Sequence, residues 1–241
     1  MSIVYIVSAP SGSGKSTLVN ELFKVAKNLD FSISYTTRDA RGSEQNGKEY
    51  FFVTKDQFEA MIAADEFLEY ANVFGNYYGT ARRFLREAEA RGNDLLLDID
   101  VQGAQQVKQR IPEAVSIFIL PPDRKTLEWR LRSRGLDSEA VILRRLDNAR
   151  REIENYPKYG YILINERLER ATDELKAVVL AERILRSGAK ASSEETRLLE
   201  MAHSIRLDQA RERVPPILAS FSANGGSSEL SFSRGREHEV D

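Results

Sequence analysis

The chain has 241 residues, of which 41% are hydrophobic and 30% charged, a composition that supports one large or two modest globular domains. Its formal net charge of −2 gives no global field that would attract nucleic acid or a membrane surface, and we expect neither as a partner. The absence of cysteine excludes disulfides, thiolate metal sites and cysteine nucleophiles. Because no apolar stretch approaches the length of a spanning helix and no signal-peptide pattern is present, we expect a cytoplasmic location.

The first predicted elements are a strand over Ile3–Val7, a loop of small residues and a helix near 16–27. A strand, a glycine-containing loop and a helix in this order are typical of a loop that binds nucleotide phosphates, because glycine lets backbone N–H groups turn toward phosphate oxygens. The candidate nucleotide-binding residues are Ala9, Pro10, Ser11, Gly12, Ser13, Gly14, Lys15, Ser16 and Thr17. Lys15 would neutralise the β- and γ-phosphates and the Ser16 hydroxyl would hold Mg²⁺, although Ala9 stands where the full motif has glycine.

Further along the chain, short apolar runs alternate with longer segments of helical periodicity. Strands are predicted over Phe31–Tyr35, Leu95–Ile99, Val115–Leu120 and Tyr161–Ile164, and helices near 81–91, 101–110, 123–133, 137–155 and 168–186. Continuous apolar strands separated by helices indicate an α/β fold in which helices cover both faces of a parallel sheet.

Residues 34–80 interrupt this alternation. They contain four glycines, aromatic strand-like runs and one short helical pattern near 55–64, so we predict an inserted lobe with antiparallel strands. The core of the fold would then comprise residues 1–33 and 81–190.

Residues 191–241 form a C-terminal extension of different character. Apolar residues at helical spacing favour a helix within 192–213. Residues 222–241 are rich in serine and glycine and have few large apolar side chains, so we expect this segment to be disordered. The sequence assigns no role to the extension.

A second candidate site lies in the predicted lobe, where Arg38 and Arg41 are three residues apart. Two guanidinium groups so close together can clamp a second phosphate group, and the hydroxyl of Tyr50 can donate to the same anion. The alternative is that the two arginines form surface ion pairs with Asp39 and Glu44. Spacing alone leaves both interpretations open.

The run from Thr36 to Val53 follows the pattern T-T-R-x-x-R-x-x-E-x-x-G-x-x-Y-x-F-V and resembles the signature of guanylate kinases. The phosphate loop with Ala9 resembles a form found in some bacterial members of that family. Further stretches that resemble the family lie at 73–80, 97–103, 117–122, 130–135 and 145–146. The resemblance covers roughly residues 2–187 and leaves the last fifty or so unexplained.

This resemblance implies a P-loop NTPase fold of three layers, with a parallel central sheet, an inserted mixed α/β GMP-binding lobe and a helical lid at about 123–155. It implies that ATP and GMP are the substrates, that the γ-phosphate of ATP is transferred to GMP, and that Mg²⁺ accompanies ATP. The GMP-binding residues would be Ser34, Arg38, Arg41, Tyr50, Glu69, Tyr78, Thr80 and Asp100.

Three of these residues, Glu69, Thr80 and Asp100, would read the guanine base. A carboxylate accepts hydrogen bonds from guanine N1–H and from the 2-amino group, and adenine lacks both donors. The alternative for Glu69 is an outward-facing residue on an edge strand.

The resemblance also implies catalytic roles for Lys15, Arg38, Arg134 and Arg145, whose charges would stabilise the transferred phosphoryl group. The alternative for the lid arginines is a set of surface ion pairs. Asp98 follows a predicted buried strand and would contact Mg²⁺ through a bound water, unless it makes a structural hydrogen bond. If the strand continues, Asp100 points to the same face as Asp98.

Two other functions are compatible with some of these features. A non-catalytic module of similar fold would use Arg38 and Arg41 to bind a phosphorylated peptide, but such modules usually have a degraded phosphate loop, whereas this chain keeps Gly14-Lys15-Ser16-Thr17. A ribose bisphosphate kinase would share the phosphate loop and would not need residues that read guanine. Whether the protein is a monomer or a homo-oligomer is not decided by the sequence.

Overall fold

The computed structural model describes residues 2–73, 75–133, 135 and 137–222. In chain order they form β1 (Val4–Ser8), α1 (Lys15–Val25), β2 (Leu29–Phe31), β3 (Tyr35–Thr36), β4 (Phe51–Phe52), α2 (Lys55–Ala63), β5 (Phe67–Val73), β6 (Asn76–Ala81), α3 (Arg83–Arg91), β7 (Asp94–Asp98), α4 (Val101–Arg110), β8 (Val115–Leu120), α5 (Arg124–Ser133), α6 (Glu139–Ile153), β9 (Tyr161–Ile164), α7 (Leu168–Ser187), α8 (Ser193–Ser204), α9 (Leu207–Ala210) and α10 (Val214–Ser222). Arg134, and all but the first residue of the segment expected to be disordered, lie outside the described residues.

The central sheet is parallel and has the strand order β2-β7-β1-β8-β9. β1 lies in the middle and pairs with β7 on one side and with β8 on the other. Every residue of β8 is buried, as is usual for a strand of a parallel sheet that is covered on both faces. The predicted α/β class with a parallel central sheet is therefore confirmed.

Alternate side chains of β1 enter two different apolar clusters, one on each face of the sheet. Val4 and Ile6 pack with residues of α3, α4, α5 and α6. Tyr5 and Val7 pack with residues of α1 and α7. The sheet thus lies between two layers of helices. The carboxyl ends of its strands meet along one edge, which is where ligands bind in folds of this kind.

A second, smaller sheet has the strand order β4-β3-β6-β5. β3 and β5 both pair antiparallel with β6, but β3 and β4 pair in parallel, so the prediction of antiparallel strands is wrong for this pair. α2 begins at a capping box made by Thr54 and Gln57. Phe58 of this helix stacks on Phe67 with the ring centroids 4.3 Å apart, which fixes the helix on the sheet.

The predicted strand Phe31–Tyr35 is wrong as a single element. Residues Leu29–Phe31 pair with β7 in the central sheet, whereas Tyr35–Thr36 pair with β4 and β6 in the smaller sheet. The chain passes from one sheet to the other within residues 32–34. Alternation of apolar and polar side chains predicts extended backbone but does not specify which strand pairs with it.

The C-terminal extension folds back onto the rest of the chain. The helix expected within 192–213 is present as α8, which packs against α7 and ends at Ser204. α10 is absent from the sequence-based prediction, because Pro215 and Pro216 resemble helix breakers. Both lie in the first turn, where the missing proline N–H has no helical partner to lose. None of the helices described is long and apolar enough to cross a membrane.

Candidate active site

In the predicted nucleotide-binding run, residues 9–14 join β1 to α1 and residues 15–17 begin the helix. Gly14 precedes the helix and has φ 89°, a conformation that glycine adopts without strain. The turn is closed by the Ser13 N–H, which donates to the Pro10 carbonyl at 3.0 Å. The loop therefore leads directly into a helix N-terminus, a position that favours anions.

Two side chains hold this loop in place, one from Asn165, which follows β9, and one from Arg130 on α5. Asn165 is buried just after β9, and its Nδ2 donates to the Ser13 carbonyl at 2.8 Å. Arg130 of α5 donates from Nη2 to the Asn165 carbonyl at 2.8 Å, and burial lowers the pKa of Arg130. A Cβ at Gly14 would collide with the Asn165 amide, so the packing requires glycine there. Sequence motifs do not indicate these contacts, because the partners are far apart in the chain.

Lys15 forms an ion pair with Asp98, the last residue of β7. The parallel register places Asp98 opposite Val7, one residue before β1 ends, and so brings the two charges together. Burial lowers the pKa of Lys15, but the charge and hydrogen bond of Asp98, with smaller contributions from Tyr50 and Asp100, together raise the pKa above its ordinary value. Lys15 is therefore protonated at neutral pH and is positioned by Asp98.

In the lobe, Arg38 and Glu44 form a bidentate ion pair, with Nη1 and Nη2 at 2.9 and 3.0 Å from the two carboxylate oxygens. The hydrogen bonds from Arg38 hold the pKa of Glu44 below its usual range. Glu44 also accepts the backbone N–H of Arg41 at 2.8 Å, so it shapes the loop that carries both arginines. The Arg41 side chain is exposed. The alternative interpretation is that the two arginines form ion pairs with acidic neighbours, and the structure contains one such pair, between Arg38 and Glu44.

Two other predicted ligands of the GMP phosphate, Tyr50 and Tyr78, lie near Arg38. Its guanidinium carbon is 5.3 Å from the centroid of the Tyr50 ring, and the Tyr50 and Tyr78 rings meet edge to face at 5.9 Å. Ser34 lies immediately before β3, and its carbonyl accepts a backbone hydrogen bond from β4. Burial raises the pKa of Tyr50 and the charge of Asp98 adds to the rise, so this part of the lobe faces the phosphate loop.

Glu69, Thr80 and Asp100 converge at the N-terminus of α4. Asp100 caps the helix, and its carboxylate accepts the Gly103 N–H at 2.8 Å. The carboxylate of Glu69 lies against Gly103, so close that a Cβ at this glycine would collide with it. Thr80 is fully buried and lies opposite Glu69 in the register of β5 and β6. The three residues expected to read guanine are therefore neighbours.

Glu69 is only 3% exposed, so it is not an outward-facing residue even though β5 is at the edge of its sheet. Burial raises the pKa of Glu69 to about 7, and the nearby charge of Asp100 adds to the rise. The expectation that Asp98 and Asp100 share one strand face is wrong, because β7 ends at Asp98 and Asp100 belongs to the cap of α4.

Residues 123–155, which are expected to form a lid, contain α5 and α6. Arg145 is half-buried and pairs with Asp137 at 3.1 Å, as in the ion-pair alternative. Glu152, also on α6, was not among the predicted site residues because its neighbours in sequence are charged as well. Burial raises the pKa of Glu152 to about 7, the charge of Lys15 opposes the rise and the charge of Asp100 adds to it. Glu152 thus lies within electrostatic range of the phosphate loop and of the carboxylates beside it.

The chain is similar over most of its length to known proteins of one family. A family profile for guanylate kinases matches residues 1–182. A guanylate kinase from Koribacter versatilis (strain Ellin345) is 59% identical over 221 residues, which cover 90% of this chain and 95% of the relative. A guanylate kinase from Escherichia coli (strain K12) is 49% identical over 189 residues, which cover 78% of this chain and 91% of the relative.

Among solved structures, the crystal structure of guanylate kinase from Anaplasma phagocytophilum matches with a TM-score of 0.60 and 33% sequence identity. The match covers 85% of this chain and 96% of that chain. The parallel sheet, the phosphate loop and the long sequence matches lead to the same conclusion. The chain belongs to the guanylate kinase family.

Proposed function

We propose that this chain binds GMP between the lobe and the carboxyl edge of the central sheet, and ATP on residues 9–17. The activity of its family is the transfer of the γ-phosphate of ATP to GMP, which gives ADP and GDP. The observation that carries the placement of GMP is the buried carboxylate of Glu69 beside Asp100, at the same sheet edge as the phosphate loop. The cysteine-free sequence supports a cytoplasmic location for this reaction.

Guanine matches the polar groups at this place. Its N1–H and 2-amino group are donors, and Glu69 and Asp100 present acceptors. Adenine offers neither donor at those positions and would leave Glu69 buried and unpaired, at a cost of about 1–3 kcal/mol or more for each such group. A ribose bisphosphate has no base to occupy these carboxylates. The mismatch with adenine and the lack of a base in a ribose bisphosphate both favour GMP as the acceptor.

The GMP phosphate would bind among Arg38, Arg41, Tyr50, Tyr78 and Ser34. A guanidinium has five N–H donors, so Arg38 retains donors for phosphate while Glu44 holds two of its nitrogens. Arg41 is exposed and is therefore accessible to the same anion. The two tyrosines supply hydroxyl donors on the side that faces the phosphate loop.

The donor set near the phosphate loop fits Mg²⁺. Ser16 lies in the exposed first turn of α1 and directly follows Lys15, which pairs with Asp98 at the end of the neighbouring strand, so a hydroxyl and a carboxylate are available at this end of the sheet. Mg²⁺ takes hard oxygen ligands, keeps several waters and accepts its remaining ligands from substrate phosphates, so a sparse protein set suffices. When bound, it would neutralise charge on the β- and γ-phosphates. Asp98 would act through a water, since its own carboxylate also pairs with Lys15.

The transfer needs no side-chain nucleophile, because a phosphate oxygen of GMP attacks the γ-phosphorus of ATP and ADP leaves. The protein contributes alignment of the two nucleotides and positive charge around the moving group. Lys15 and Arg38 approach from the loop and the lobe, and Arg134 and Arg145 would approach from the lid. Arg145 pairs with Asp137 in this structure, so closure of the lid has to reorient it. Closure would also exclude water, which would otherwise hydrolyse ATP.

The direct test is the formation of GDP from Mg-ATP and GMP by the purified chain. AMP, CMP and UMP are expected to be poor acceptors, with kcat/KM lower by about 10² or more because they leave the buried carboxylate of Glu69 unpaired. Ribose 1,5-bisphosphate, assayed in parallel, tests the alternative kinase. Absence of GDP together with binding of a phosphorylated peptide would replace the proposal by the non-catalytic module.

Replacement of Gly103 by alanine is expected to lower kcat/KM for GMP by about 100-fold, because a misplacement of about 1 Å at a reacting complex has effects of that size. The new Cβ would push the Glu69 carboxylate from its position, while KM for ATP stays unchanged. Gly160→Ala is the matched control, since a Cβ there meets its neighbours at ordinary distance. Wild-type kcat/KM for GMP in Gly103→Ala would contradict the assignment of Glu69.

A further inference from the structure

The C-terminal extension pairs with the edge strand of the central sheet. Tyr161 of β9 and Arg206 form an antiparallel bridge. The Ile162 N–H donates to the Ile205 carbonyl at 2.8 Å, and the Leu207 N–H donates to the Gly160 carbonyl at 2.9 Å. The extension therefore covers backbone groups that an edge strand would otherwise expose. Residues 205–207 of the extension lie beyond the family match, which ends at residue 182.

Beyond this bridge, α10 packs on the lid. Val214, Ile217 and Phe221 are buried in the apolar cluster that contains residues of both α5 and α6. Ile217 and Phe221 are four residues apart and lie on one face of α10. The lid helices thus bury part of their apolar surface against a segment that lies outside the family match.

A hydrogen bond joins the two segments at the start of α5. The Ser220 Oγ accepts the backbone N–H of Arg124 at 2.9 Å and donates to the Ile217 carbonyl at 2.6 Å. Arg124 is the first residue of α5, so Ser220 satisfies one of the N–H groups that the helix itself leaves unpaired. The Ser220 hydroxyl therefore both accepts and donates a hydrogen bond, and this fixes α10 against the start of α5.

The helices held in this way carry groups of the candidate site. α5 carries Arg130, whose Nη1 reaches the Ser13 carbonyl of the phosphate loop at 3.4 Å. α6 carries Arg145 and Glu152. The position of α10 is therefore linked, through a short series of direct contacts, to the position of the loop expected to bind ATP.

We propose that residues 205–222 act as an intramolecular brace that positions the lid for phosphoryl transfer, with Ser220 as the positioning residue at the start of α5. The brace rests on the proposed role of the lid in closing over ATP. One end is bonded to β9 and the other to α5 and α6, so the lid helices move only together with α10 or after breaking its contacts. A lid with a loosened brace has more conformations to restrict before transfer, and its productive arrangement is populated less.

The test compares full-length wild-type protein with Ser220→Ala, Ser220→Thr and Ser204→Ala. Ser220→Ala removes the hydroxyl, Ser220→Thr retains it, and Ser204→Ala makes the same change at an exposed serine of α8 whose hydroxyl bonds within its own helix. The measurements are kcat, KM for ATP and KM for GMP, together with amide hydrogen exchange at Arg124. Because the expected loss is that of one cap hydrogen bond, kcat/KM for ATP should fall by about threefold to tenfold in Ser220→Ala.

The brace predicts that Ser220→Ala speeds exchange at Arg124 and lowers kcat/KM for ATP, leaves KM for GMP unchanged, and is rescued by Ser220→Thr. Ser204→Ala should resemble the wild type in every measurement. Faster exchange with wild-type kinetics would reduce α10 to a structural role and overturn the brace. Unchanged exchange and unchanged kinetics would overturn it as well. Failure of the wild type to form GDP would instead refute the proposed function, so the two failures are distinguishable.

Discussion

GDP formation is expected to slow by about 10²- to 10³-fold when Lys15 is replaced by methionine, the range for loss of one preorganised group that stabilises transition-state charge. Lys15 begins α1, is held by Asp98 and has a pKa above its ordinary value, so it carries full charge at the working pH. Methionine has a similar length and no charge. The loss should appear mainly in kcat, since the charge on the transferred group is greatest in the transition state.

The substitution leaves Asp98 without its ammonium partner, so effects on folding have to be separated from effects on chemistry. Lys24→Met is the matched control, because it makes the same change on the same helix at an exposed side chain that pairs with Glu21. Thermal unfolding of both variants measures stability, and single-turnover assays with Mg-ATP and GMP measure the transfer. Lys15→Met with a turnover within threefold of the wild type would contradict the proposed role.

The features predicted correctly from the sequence are those whose signal is local. β8 has the predicted bounds, Val115–Leu120, because five of its six residues are apolar and two prolines follow it, a pattern that suits a short strand buried on both faces. The phosphate loop is also local, since its strand, its glycines and Lys15 lie within about a dozen positions of one another. In such segments the neighbours in sequence are also the neighbours in space.

The features that were missed depend on contacts between distant parts of the chain. The strand predicted over Phe31–Tyr35 divides between two sheets because its partners, β7 on one side and β4 and β6 on the other, are far away in sequence. The bond from Asn165 to the Ser13 carbonyl spans 152 positions and has no local pattern. Helical periodicity locates α6 but does not show that Glu152 approaches Lys15.

The family resemblance supplied much of what local patterns could not. Glu69 is an unremarkable acidic residue on an edge strand until α4 is packed beside it, and only then are its burial and its contact with Gly103 apparent. The extension shows the reverse case. The extension lies outside the resemblance, and apolar side chains of α10 pack it against α5 and α6. The two prolines in the first turn of α10 argue against a helix when only the sequence is considered.

Replacement of Glu69 by glutamine is expected to lower kcat/KM for GMP by about 10² or more, because a donor amide would then face a guanine donor in a buried site. Glutamine has nearly the same shape, so the fold should persist. The buried carboxyl has a pKa of about 7 against an ordinary value of 4.5, so the folded state holds more protons between those values and stability falls as pH rises through them. Glu69→Gln removes this penalty and should be at least as stable as the wild type at pH 8.

The same pKa predicts how GMP binding depends on pH. Only the ionised carboxylate accepts both guanine donors, so at pH 6 about a tenth of the wild-type protein is competent and KM for GMP should be about tenfold higher than at pH 8. The phosphate of GMP also titrates in this range and contributes to the pH dependence of KM. Glu69→Gln is the control, because its pH dependence retains the contribution of the phosphate and lacks that of the Glu69 carboxyl. KM for GMP measured from pH 6 to 8 should fall more steeply for the wild type than for the variant. Parallel profiles would mean that Glu69 does not bind the base.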